Sequence, residues 1–135
     1  MRETWNDMVD NPESIRRLYD IPPPLKGVEI AAIDLSREAS SLTIRLFLPS
    51  FPDNPPGRWP KQYNRAIMTL YAYGVSGLEL LGWGWSIIEV TFDFARPPGG
   101  RLEMRATGQN IKLAFECDGV RVSGVNGYEY KSSTE

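Results

Sequence analysis

Apolar residues recur at every second position along most of this chain. Leu42, Ile44, Leu46 and Leu48 alternate with Thr43, Arg45 and Phe47, the period of a half-buried β-strand. Val28 to Leu35 keeps that period with one slip, because Val28 and Ile30 fall out of phase with Ile33 and Leu35. One extra residue near Ala31 and Ala32 restores the phase, so a β-bulge is predicted there. Ala66 to Tyr73 is apolar on both faces, as in a central strand with both sides covered. Residues 75–81 predict another strand, ended by the Gly-Trp-Gly-Trp run at 82–85.

Further on, Ile88, Val90, Phe92 and Phe94 point one way and Glu89, Thr91 and Asp93 the other. A turn over residues 96–100 leads to Leu102, Met104 and Ala106, again alternating with charged positions. Setting Val90 opposite Met104 places Glu89 against Arg105 and Asp93 against Arg101. Each such opposite-charge pair is worth roughly 0.2–1 kcal/mol. Gly108 to Asn110 turns the chain into Ile111, Leu113, Phe115 and Cys117, and a last strand carries Val120 and Val122 before Gly124 breaks the phase.

Only the front of the chain has a helical period. Trp5, Met8 and Val9 follow Thr4, a candidate cap with Asp7 three residues on. Asn11 then precedes Pro12, a proline at the first helical position, and Ile15, Leu18 and Tyr19 share a face until Pro22, Pro23 and Pro24 stop the segment. The pattern predicts a mainly β (β-rich α+β) fold. It reads as an antiparallel sandwich or partly open barrel of about eight strands with one or two short N-terminal helices, at 4–9 and 12–19. A single domain over residues 1–128 is expected, with a polar, disordered tail at 129–135.

Between Pro49 and Pro60 five prolines fall within twelve residues. Proline fixes φ and lacks a ladder donor, so this stretch is a stiff connection and not an interior strand. Such a loop either joins two strand pairs or carries function on a rigid scaffold.

Composition narrows the chemistry. The chain has 135 residues, 15 Lys plus Arg, 17 Asp plus Glu and a net charge of −2, which implies neither a strongly basic nor a strongly acidic partner. It has no histidine and one cysteine, so histidine triads, histidine-ligated metals, thiolate zinc sites and internal disulfides are excluded. No phosphate-binding glycine loop is present. Neither a metal nor a cofactor is expected, and Cys117, in phase with Phe115 and Leu113, reads as a buried, inert thiol. Glu89 and Asp93 share a strand face with Glu103 nearby, but paired carboxylates balanced by arginines read as a solvated face before a hydrolytic site. Arg58 to Arg65 interleaves cations with Trp59 and Tyr63. Three cations on an acidic domain release few counterions, so no nucleic-acid partner is expected, and Trp59 reads as folding over the core edge to pin the proline loop. Trp83 is expected to cap the core; Trp85 suits core or partner surface equally. The N-terminus has no apolar run of a signal peptide and no stretch reaches the roughly 20 apolar residues of a spanning helix. A cytoplasmic protein without membrane contact is expected.

Several features in order resemble the immunity protein 50 family of bacterial polymorphic toxin systems: Trp5, the Asn11–Pro12 helix start, and a strand pair bounded by leucine and proline. Pro52, Pro55, Pro56, Arg58 and Trp59 follow, then Gly82 with Trp83, and a final strand ending in Gly127 and Tyr128. The likeness runs from about Trp5 to Tyr128. It implies a mostly β domain, without catalysis, that binds and neutralises a toxin made by the same cell or its kin. The expected anchors are Trp59, Tyr63 and Trp85, with Glu79, Glu89 and Asp93 as an acidic rim suited to a basic toxin domain. A second reading is a lipocalin-like carrier, a barrel enclosing a small ligand among Phe92, Phe94 and Phe115. An empty apolar chamber would favour the carrier; a solid core would favour the binder.

Overall fold

The computed structural model describes residues 4–84 and 88–130. A 3-10 turn (Trp5–Met8) and a one-turn helix α1 (Glu13–Arg16) precede eight strands. These are β1 (Val28–Ser36), β2 (Ser41–Phe47), β3 (Arg65–Tyr73), β4 (Ser76–Leu81), β5 (Glu89–Ala95), β6 (Leu102–Thr107), β7 (Lys112–Cys117) and β8 (Gly119–Tyr128). All pairings are antiparallel, in one sheet of order β4-β7-β6-β5-β1-β2-β3-β8. The mainly β architecture read from the alternation is therefore present, as an open sheet and not a closed barrel.

The sheet consists of two four-stranded halves joined by a narrow seam. Between β1 and β5 the register holds only Val28↔Val90 and Glu29↔Glu89, with the Ile30 N–H donating to the Ile88 carbonyl at 2.8 Å. The bulge predicted in β1 lies between Ile30 and Ala32. It returns Ile33 and Leu35 to the phase of Ile44 and Leu42, their partners on β2. Inward residues of both halves, among them Ile44, Leu46, Met68, Leu70, Met104, Leu113 and Val120, form one buried cluster.

At the margin away from the seam, two strands pass from one half to the other. The chain crosses from β3 to β4 through Gly74 and Val75, and from β7 to β8 through Asp118. Pairing continues across the fold, from Arg65↔Tyr128 through Tyr73↔Gly119 to Ser76↔Glu116 and Leu81↔Lys112. Gly74 has φ +65°, a backbone conformation that favours glycine over any residue with a side chain. Arg101 clamps this corner: its guanidinium donates to the Gly74 carbonyl, to Ser76 Oγ at 2.6 Å and to Asp118 Oδ1 at 3.1 Å.

That clamp corrects one expectation from the alternation. The β5–β6 ladder pairs Phe94 with Met104 and Asp93 with Arg105, so Val90 does not face Met104. The observed register leaves Arg101 outside the β5–β6 ladder and free for the corner.

An open end of the sandwich is closed by the front of the chain and the proline loop. Thr4 and Asp7 form the expected capping box. The Trp5 indole N–H donates to the Pro23 carbonyl at 2.7 Å, while Val9, Ile15 and Tyr19 enter the core. The Tyr19 hydroxyl donates to the Ser50 carbonyl, and the Asn54 N–H reaches Leu18 O at 2.9 Å. Trp59 is only 5% exposed. Its ring lies over Gly127, where an added Cβ would come within 2.4 Å of Cε3, and Tyr63 packs edge-on against it at 5.1 Å. The proline-rich connection is a plug on the core.

Truncating Trp59 to Ala removes a buried aromatic and should cost about 3–5 kcal/mol. Gly127→Ala, which displaces the ring, should cost about 1–3 kcal/mol. Urea unfolding of both variants checks this; losses below about 1 kcal/mol in each would mean that the loop is not held by this contact.

Candidate partner-binding surface

The strand order creates two sheet edges, β8 and β4, and they are treated differently. At β8 the Asn11 side chain acts as a strand surrogate. Its Nδ2 donates to the Val122 carbonyl and its Oδ1 accepts from the Val122 N–H, both at 2.9 Å. The Asp10 N–H adds a bond to Val120 O at 2.8 Å. Over Val120–Val122 this edge is therefore blunted, as edges in soluble proteins usually are. Asn64, just before β3, bonds the Tyr130 backbone on the β3 side and so lengthens the β3–β8 ladder.

Along β4 every residue is exposed. Leu80 lies opposite the inward-facing Leu113, yet is 36% exposed, and Leu78 is 37% exposed. Leu81, on the outward side opposite Lys112, is 59% exposed. Trp83 follows at 49%. The expected capping role of Trp83 is therefore corrected: it stands outside the core, because β4 runs past the margin that the other half covers. Apolar side chains are thus exposed on both sides of the strand that ends the sheet.

The outward face beside β4 is acidic. Asp93, Arg105, Ala114 and Glu79 form one row across β5, β6, β7 and β4. The adjoining row brings Glu103 beside Glu116 and Glu116 beside Ser76. Glu79 accepts an ion pair from Lys112 at 3.0 Å. The outward face of the other half differs, with Arg65 over the Phe47 ring at 4.4 Å and Arg121 over Tyr71 at 5.2 Å.

The residues expected from the sequence as a site thus separate. Glu79 and Asp93 share a row. Glu89 is exposed on the same strand as Asp93 but sits at the seam opposite Glu29, whose carboxylate meets Arg65 at 3.6 Å. Trp59 is buried and Tyr63 half-buried in the plug, away from the acidic row. Trp85 lies outside the described residues. Sequence reasoning read residues 75–81 only as a strand and did not single out Leu78, Leu80 and Leu81, because the local pattern does not say which strand ends the sheet.

Reactive chemistry does not converge anywhere in this set. Among the described residues no three carboxylate or thiol groups gather to hold a metal ion, and no helix is long and apolar enough to cross a membrane. The carrier reading required a chamber between the two halves. That space is filled by side chains such as Leu46, Met68, Met104 and Phe115, and two recesses of about 590 and 460 Å³ open to solvent at the surface.

Cys117 is fully buried, and burial pushes its thiol up to about 11. Burial likewise raises the Tyr19 hydroxyl. Both groups are neutral when folded, whereas the unfolded thiol ionises from about pH 8.5. Unfolding therefore releases protons above that pH, and stability falls as pH rises. Between pH 8 and 11 the thiol alone should cost about 2–3 kcal/mol. Urea midpoints measured across that range should decline, and Cys117→Ala should flatten the part below pH 11; an unchanged slope in the variant would contradict the assignment.

Searches of curated proteins and of solved structures return no significant match. A family model described as Immunity protein 50 matches residues 11–128. The match takes in every strand, the plug and α1. By that match over most of its length, this chain belongs to the immunity protein 50 family.

Proposed function

We propose that this protein binds a cognate bacterial toxin domain and neutralises it by obstruction, with no chemistry of its own. The observation that carries this reading is the exposed apolar side chains of β4, on a molecule whose other edge is covered at Val120 and Val122 by the front of the chain. Exposed apolar surface of this kind marks sites that another molecule covers. Membership of an immunity family supports a toxin as that molecule. The toxin partner in this reading is the C-terminal domain of a polymorphic toxin, met in the bacterial cytoplasm.

In this arrangement Leu78, Leu80, Leu81 and Trp83 supply the desolvated centre, and Glu79 and Asp93 the charged rim. Glu89 extends the rim towards the seam. Trp85, two residues beyond Trp83, belongs with the anchors by its place in the sequence. Trp59 and Tyr63 contribute from beneath, by holding the plug and so the sandwich in shape. Affinity concentrated in a few apolar anchors suits a protein that must occlude a toxin soon after both are made.

Co-expression tests this directly. The toxin domain encoded beside this gene should arrest growth alone, and this chain should restore it while forming a stable complex on size exclusion. Equal killing with and without soluble, folded protein would overturn the reading.

A further inference from the structure

The β4 edge carries an inference about the form of the partner, which rests on the neutralising function proposed above. We infer that β4 is extended in trans by a strand of the toxin, an extended segment with apolar residues facing inward and lysine or arginine facing outward. An edge strand presents a row of free backbone donors and acceptors, and added strands are bound chiefly through them, with side-chain positions giving selectivity. The contrast within one sheet is informative, because β8 is closed at Val122 by Asn11 whereas β4 has no lysine, no proline and only Glu79 as a charge.

The geometry prescribes alternation in the incoming segment. Past the irregularity between Ser76 and Glu79, β4 pairs regularly with β7 from Glu79 to Leu81. Leu80 looks to the inner side and lacks a cover, so the residue beside it must be apolar. Glu79 and Leu81 look outward. Four carboxylates on that face, Glu79, Asp93, Glu103 and Glu116, outnumber Arg105 and Lys112. Charge complementarity then selects a basic segment, and steers it to the edge before the backbone pairs.

The test uses the whole chain with the neighbouring toxin domain. Leu78→Lys/Leu80→Lys, on exposed positions, should keep the melting temperature within a few degrees yet weaken binding about 100-fold or more. Hydrogen exchange should show Glu79–Leu81 amides becoming protected in the complex. Glu79→Lys/Glu116→Lys should slow association about tenfold at low salt, with the difference fading at high salt. If the parent binds and the leucine variant binds equally, or β4 amides stay unprotected, strand addition is overturned while the neutralising function stands. An unchanged association rate in the charge variant overturns the basic segment. A parent that is itself a dimer, dissociated by Leu80→Lys, would make the occupant a second copy and overturn the inference. If the parent does not bind the toxin domain at all, both the function and this occupant fall together.

Discussion

A sheet with one apolar face has to bury that face against something, and here each half of the sheet buries it against the other. That requirement shapes the molecule. The two halves meet at a seam of two residue pairs, which lets them fold over one another while the chain stays in a single hydrogen-bonded sheet. At the opposite margin the same end is reached by bending paired strands together through Gly74 and Asp118. A left-handed residue is needed at Gly74 and the bend leaves its carbonyl exposed to Arg101, which binds it. Without that corner the inward leucines and methionines of the two halves would not share one core.

Folding a sheet in this way leaves open ends and unequal edges. The front of the chain and the proline loop answer the first problem. Neither could form a stable element alone, since a single helical turn lacks the length to sustain itself. They are held by burial of Ile15, Tyr19 and Trp59 and by backbone bonds such as Asn54 to Leu18. The second problem is answered on β8 by Asn11, whose amide imitates a neighbouring strand at Val122. On β4 the described residues offer no such device. That unfinished edge is the feature on which the proposed binding role rests.

Much of this was legible along the chain, for a definite reason. Strand period, the slip near Ala31 and the Thr4–Asp7 cap depend on residues within a few positions of one another, and local sterics and hydrogen bonding decide them. The β5–β6 register was not legible, although its charges invited a choice. The expected pairing counted only forces within the hairpin, while Arg101 is claimed by the distant carbonyl of Gly74 and by Asp118. Trp59 and Trp83 make the same point as a pair. Both follow glycine- or proline-rich runs, yet one is buried and the other exposed. The difference lies in what surrounds each ring: Gly127 leaves a flat space for Trp59, whereas Trp83 follows the exposed strand β4.

The amino-acid order by itself thus determined a histidine-free, mainly β domain with a bulged first strand, a capped front turn and a stiff proline connection. Its resemblance to the immunity protein 50 family also followed from that order. Only the tertiary structure decided which strand became the open edge, which tryptophan entered the core, and that the proline loop is a plug. Those outcomes depend on strand order, and strand order is set by how two apolar faces close on each other. That closure joins residues far apart in the chain, so no local pattern of hydrophobic and polar positions could have announced it.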